Sequence, residues 1–365
     1  MTAKRWPLLV LAIVLVLPIL TACSPTARED RPTTDTATCL RTIAPAPGTV
    51  TGIFVEPDDT RAPILNELDH ARCTIDVAVY LLTDAEVIAA LEAAASRGVR
   101  VRLILEHYPY GGGGGQDDLA DRLRSEGIDV QWSDNQFRFT HAKYIVVDRQ
   151  VALILNQNLT KSSFTGNREF GAVTTDPEAV MGAQLIFDRD WERNRQPVAA
   201  PPLIVSPSDS RARYEKIIGE ARVSIDLYAE VIQDPEIIEA LEDAVARGVR
   251  VRLILNPSSG AEDIATVAGL RSRGVDVRAA TRLYIHAKLM IVDGTTAIVG
   301  SQNFTRTSLD ANRELALIVQ DPLAVARCRE IFTTDWDAAR QGQVRNASRD
   351  SMIAFRSLVI SEHAA

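Results

Sequence analysis

From Thr74 to Tyr80 the chain runs apolar over the length of a strand, and from Ala85 to Ser96 its apolar positions recur at helical spacing ahead of Gly98. Val99 to Leu105 again reads as a strand, Leu119 to Ser125 as a helix and Tyr144 to Val147 as a short strand. Alternation of this kind predicts an α/β fold, a sheet with helices packed on both faces. The pattern then recurs. IDVAVYLLTDAEVIAALEAAASRGVRVRLIL, from Ile75, is answered 150 residues later by IDLYAEVIQDPEIIEALEDAVARGVRVRLIL, from Ile225. HAKYIVVD at His141 is answered by HAKLMIVD at His286, an offset of 145, and the run Gly111–Gly115 of the first copy takes up the difference. Asp176-Pro177 with Asp321-Pro322, and Asp190-Trp191 with Asp335-Trp336, keep the shorter offset. A period this long implies duplicated domains rather than a solenoid. Residues 49–198 and 199–342 are expected to be the two units, with 343–365 as a tail.

Lys4 and Arg5 precede an uncharged apolar run from Trp6 to Leu20, shorter than the roughly 20 residues that span a bilayer as a helix. The run ends in Leu20-Thr21-Ala22-Cys23, which resembles a bacterial lipobox. That resemblance implies a signal peptide over 1–22, cleavage before Cys23 and lipidation of that residue, so an exported protein anchored to a cell-envelope membrane. A plain cleaved signal and an uncleaved anchor helix are the alternatives. Residues 23–48, rich in Ser, Thr, Pro and Ala, read as a tether. Beyond Cys23 the cysteines are Cys39, Cys73 and Cys328, an odd number that leaves at least one thiol unpaired within a monomer. The net charge of −8 gives no overall field to attract a polyanion, which counts against nucleic acid unless a local basic cleft forms.

Within each copy the polar residues repeat one for one. His141, Lys143, Asp148, Asn156, Asn158 and Glu169 match His286, Lys288, Asp293, Ser301, Asn303 and Glu314. On a strand, positions i and i+2 share a face, so a hairpin can present His, Lys and two polar groups together. Asp293-Gly294 supplies the tight-turn signal between the strands of the second copy. Two such faces opposed form a pocket of two imidazoles, two ammonium groups and several hydrogen-bond donors. That set suits a phosphodiester: the lysines and Asn donors can hold the non-bridging oxygens, one imidazole can attack and the other can serve as acid. With two ammonium groups present the chemistry needs no metal or other cofactor, and none is expected.

HAKLMIVDGTTAIVGSQN, from His286, resembles the HxKx4D signature of the phospholipase D superfamily with its following GSxN segment, and the likeness extends over about residues 50–340. The first copy departs from it with Leu155-Asn156 where Gly-Ser is usual. The resemblance implies two α/β/α sandwich repeats packed with pseudo-twofold symmetry around one active site. It implies a phosphohistidine intermediate, with His141 attacking and His286 protonating the leaving alcohol, and Glu169 and Glu314 orienting the imidazoles. A surface ion pair with Arg168 or Arg313 is the other reading of those glutamates. Asn156 and Ser301 are expected to touch the phosphate, and Asp148 and Asp293 to pin turns. Hydrolysis of phospholipid phosphodiesters by a monomeric enzyme is the favoured activity. An exported endonuclease is the alternative, followed by a cardiolipin synthase-type transferase and an inactive scaffold. His107, with Tyr108, Tyr110 and the glycine run, reads as a surface loop or a lip at the site.

Overall fold

A computed structural model describes residues 36–44, 48–110, 116–257 and 261–339. In the first repeat the strands are β1 (Thr51–Glu56), β2 (Thr74–Val79), β3 (Arg100–Leu105), β4 (Asp129–Trp132), β5 (Tyr144–Val147), β6 (Val151–Leu155) and β7 (Asn167–Thr174). They form one sheet in the order β1-β7-β6-β5-β2-β3-β4. The second repeat carries β8 (Leu203–Ser206), β9 (Ser224–Tyr228), β10 (Arg250–Leu255), β11 (Asp276–Ala279), β12 (Tyr284–Ile285), β13 (Leu289–Val292), β14 (Thr296–Gly300) and β15 (Glu314–Val319). Its sheet has the matching order β8-β15-β14-β13-β9-β10-β11, while β12 crosses over and pairs in parallel with β7. The expected two-repeat α/β architecture is the observed one.

Local chemistry sets the helix boundaries. The repeated Asp-Pro pairs start the helices Pro177–Trp191 and Pro322–Ala338: Asp176 and Asp321 accept backbone N–H bonds at the cap, and proline occupies a first-turn position that needs no donor. These two long helices lie with the inner faces of both sheets in one shared core, which includes Tyr144, Phe187, Leu289 and Phe332. Each outer face has its own cluster, around Ile75 and Leu103 in one repeat and Ile225 and Leu253 in the other. The expected helix from Leu119 starts earlier, at Gln116, whose side chain bonds the Glu106 carbonyl.

The expected tether is not wholly unstructured. Thr36–Thr42 is helical, and Cys39 is disulfide-bonded to Cys73 at the entry to β2, 34 residues away. A covalent link holds this segment to the first repeat, which its composition could not reveal. Cys328 is the free, buried cysteine among the described residues, and Cys23 lies outside them.

The Leu155/Gly300 difference has a packing cause. Leu155 stands across the ladder from Gly171, and Gly300 stands across from Ala316. A Cβ built on Gly300 would fall 2.2 Å from the Ala316 Cβ. The two repeats have exchanged the small residue between facing strands: Leu155 faces Gly171, where an added Cβ would meet the Phe54 ring at 2.1 Å. Gly300→Ala is expected to cost about 1–3 kcal/mol by overpacking, read as a lower urea midpoint with an unchanged slope.

Candidate active site

His141 and Lys143 lie just ahead of β5, and His286 and Lys288 lie between β12 and β13, so neither motif sits on a regular strand as its alternation suggests. At these points the chain leaves its own sheet and bonds the other repeat. His141 and Ala142 donate their N–H groups to the Arg313 carbonyl, both at 2.9 Å, and His286 donates to the Arg168 carbonyl at 3.3 Å. Arg168 and Arg313 each directly precede a glutamate, so this backbone contact carries each glutamate to the histidine of the opposite repeat.

The result is a crossed pair. Glu314 Oε2 is 2.9 Å from His141 Nδ1, and Glu169 Oε2 is 2.8 Å from His286 Nδ1. Both glutamates are fully buried. The neighbouring arginines do not compete for them: Arg168 pairs with Asp335 at 2.7 Å and Arg313 with Asp190 at 3.0 Å. Those aspartates come from the repeated Asp-Trp pairs, so the surface ion-pair reading of the glutamates fails. Each lysine turns back on its own histidine, Lys143 Nζ donating to the His141 carbonyl and Lys288 Nζ to the His286 carbonyl, both at 2.6 Å.

At one aligned position beside the histidines the two half-sites carry different chemistry, Tyr80 in the first repeat and Glu230 in the second. Glu230 Oε2 lies 2.6 Å from Lys288 Nζ and 3.6 Å from His286 Nε2. It also accepts from Asn303 at 3.4 Å, and its Oε1 accepts from the Tyr284 hydroxyl at 3.1 Å. Tyr80 instead sets its ring edge-on to His141, centroids 4.7 Å apart, with Lys143 Nζ 5.2 Å from the ring centre. Sequence reasoning missed both residues. The available signal was an acid ending the apolar strand IDLYAE, at the place where the other copy ends in tyrosine.

Asn156 and Ser301 do not take the phosphate-contacting positions expected of them. Asn156 is buried in the seam between repeats, its amide donating to the Lys288 carbonyl at 3.2 Å and to the Gly300 carbonyl while its oxygen accepts from Phe170 N at 3.1 Å. Ser301 accepts from Leu315 N at 3.2 Å. Their polar atoms are committed to backbone groups of the seam. Asn303 reaches the site through Glu230, and Asn158 and Asn303 are both half-exposed, each with a buried Oδ1 that has no partner. Asp148, at φ 53°, accepts from Arg72, Cys73 and Thr74 N–H groups at 2.7–2.9 Å, and Asp293 does the same at the start of β9. His107 stacks on Trp132, centroids 4.4 Å apart, while Tyr108 and Tyr110 are strongly exposed; the glycine run beyond them lies outside the described residues.

Burial lowers the His141 imidazole to about 4, with Lys143 and Lys288 acting the same way against the opposing pull of Glu314. Burial likewise brings the Lys143 ammonium down to about 7. Burial opposes the charge on Glu230, yet His286 and Lys288 outweigh it and hold the carboxyl below its usual range. His141 is therefore neutral at pH 7. Its Nδ1–H donates to Glu314, which leaves the Nε2 lone pair free to attack. His286 has a carboxylate near each ring nitrogen, Glu169 at Nδ1 and Glu230 at Nε2.

The family described as "Cardiolipin synthase, PLD-like domain" matches residues 64–191 and 214–336. Cardiolipin synthase B of Escherichia coli K12 is 29% identical over 278 residues, covering 64% of this chain and 66% of that one. The cardiolipin synthase of Geobacillus kaustophilus is 26% identical over 312 residues, covering 73% and 62%. The chain thus spans somewhat under two thirds of the length of these curated relatives. Phosphatidylserine synthase of Haemophilus influenzae shares the fold, with a TM-score of 0.64 at 10% identity over 86% of this chain and 93% of that one. With both repeats matched and both histidine–lysine motifs brought into one site, this chain belongs to the PLD-like domain family of the phospholipase D superfamily.

Proposed function

We propose that this protein cleaves phospholipid phosphodiesters through a phosphohistidine on His141 and passes the phosphatidyl group to an alcohol, with water as the competing acceptor. The observation that carries the chemistry is the crossed pair of carboxylate-bound imidazoles beside two lysines. His141 Nε2 attacks phosphorus as the bond to the leaving oxygen breaks, and that oxygen takes the proton from His286 Nε2. The incoming alcohol then returns a proton to His286 as its oxygen displaces His141. Lys143 and Lys288 balance charge on the non-bridging oxygens.

The paired histidines serve a water or an alcohol acceptor alike; the likeness to cardiolipin synthases supports transfer. Glu230, a carboxylate inside the site, counts against a polyanionic substrate and so against the endonuclease alternative. Vesicles containing phosphatidylglycerol offer both a phosphatidyl group and a free glycerol hydroxyl. Incubation with the enzyme should yield cardiolipin and glycerol ahead of phosphatidic acid. Phosphatidic acid as the sole product would return the reading to hydrolysis. Nicking of supercoiled plasmid with no lipid turnover would sink both lipid readings. The lipobox supports attachment to a membrane through Cys23, and loss of membrane association in Cys23→Ser is the corresponding result.

The pH profile follows from the two shifted groups. His141 must be neutral and Lys143 charged, so kcat/KM should rise through about pH 4 and fall above about pH 7. Lys143→Arg, which stays charged, should lose the limb near pH 7 while lowering overall turnover. A limb unmoved in that variant would assign it to another group.

A further inference from the structure

β1 ends at Glu56, directly across the antiparallel ladder from Glu169, the carboxylate that holds His286. Directly opposed residues on neighbouring strands point to the same face, their Cβ atoms about 5 Å apart. Glu56 is fully buried, and neither of its carboxyl oxygens has a hydrogen-bond partner. A buried carboxylate without a donor is among the costliest groups in a protein. Burial first, then the charge of Glu169, pushes this carboxyl up to about 9; Asp59 and Asp58 act in the same direction and Arg61 opposes. Arg61 is itself committed to Asp84 and Glu86. Arg168 bonds only the Glu56 backbone carbonyl, at 2.8 Å, while its own ion pairs go to Asp335 and Asp58.

The other repeat shows how the same position is built without an acid. Ser206 stands across from Glu314, and Arg313 bonds its carbonyl at 3.0 Å. Glu314 Oε1 there receives two donors, the Ser308 hydroxyl at 2.6 Å and the Asn312 amide at 2.9 Å. Glu169 Oε1 receives the Asn167 amide at 3.2 Å. The serine aligned with Ser308 is Ser163, and its hydroxyl is paired with Thr160 at 2.9 Å instead. Glu169 is one hydroxyl donor short of its counterpart, and an acid with no partner of its own faces it.

We infer that Glu56 is a protonated positioning residue, its carboxyl O–H supporting Glu169 in place of the serine hydroxyl that supports Glu314. Glu169 thereby keeps its negative charge for His286 without a second charge beside it, and the two half-sites reach the same end by different residues. The unfolded chain releases the Glu56 proton near the ordinary value of about 4.3, whereas the folded chain retains it to about pH 9. The folded state thus binds the extra proton across that window, so wild-type stability declines as pH rises through it.

Glu56→Gln keeps a neutral donor of the same shape and removes the titration. Its melting temperature relative to wild type should climb steadily from pH 5 to pH 8. The infrared C=O band of a protonated carboxyl, present in wild type at pH 7, should be missing from the variant. Turnover of bis-p-nitrophenyl phosphate should stay within about threefold. Glu56→Leu, which fills the space without donating, should lower that turnover about tenfold and shift the 15N resonances of His286 but not of His141. A melting difference flat with pH, or no protonated-carboxyl band in wild type, would overturn the assignment. So would a Leu variant that matches wild type in turnover and in its His286 resonances. The infrared and melting measurements need no substrate, so they stand apart from the proposed phosphatidyl transfer.

Discussion

His141→Asn is expected to lower phosphodiester turnover by roughly 10³- to 10⁴-fold and to abolish covalent phosphoenzyme. His286→Asn is expected to lose as much on a natural alkoxide leaving group but to behave differently with p-nitrophenyl esters. A p-nitrophenolate departs without a proton, so the first step survives in that variant. The second step needs His286 to take the proton from the incoming water, so the phosphoenzyme accumulates on His141. The asymmetry follows from the surroundings: His141 is kept neutral by burial beside Tyr80, whereas Glu230 lies 3.6 Å from His286 Nε2. Quenching at alkaline pH in denaturant, followed by peptide mass spectrometry, locates the phosphate. Label on His286 in the wild-type reaction would reverse the two roles.

Glu169→Gln is expected to lower turnover by about 10²- to 10³-fold, and the damage should fall on the histidine of the other repeat. Glu169 and His141 belong to one copy, yet the Glu169 carboxylate binds His286 Nδ1 at 2.8 Å. The Gln variant should shift the 15N resonances of His286 and leave those of His141 in place. Glu314→Gln should do the opposite, since Glu314 binds His141 Nδ1 at 2.9 Å. A Glu169→Gln protein with altered His141 signals and normal His286 signals would contradict the crossed arrangement. The same geometry means that neither repeat contains a finished half-site, because the orienting carboxylate always arrives from its neighbour.

The apolar alternation, the offsets of 150 and 145 residues and the paired motifs were enough to identify two α/β repeats and their shared chemistry. These features are local: strand period, helix period and side-chain identity are written along the chain, and duplication prints each of them twice. Asp176-Pro177 and Asp321-Pro322 were legible as repeats, and their capping role is equally local. What crosses the seam was not legible. Asn156 and Ser301 share the i, i+2 alternation with Asn158 and Asn303, yet they face the backbone of the seam, because the chain leaves the sheet there and the period-2 rule ends with it. Which glutamate serves which histidine depended on a backbone bond between residues 172 positions apart, His141 and Arg313. Glu230 becomes a site residue only when β12 and the segment after it bring His286 and Lys288 to the end of β9. Glu56 acquires meaning only through its ladder partner 113 residues away. Burial, and with it the cost of a charge, is a property of everything packed around a residue, so the chain alone names the groups and the folded seam decides which of them hold a proton.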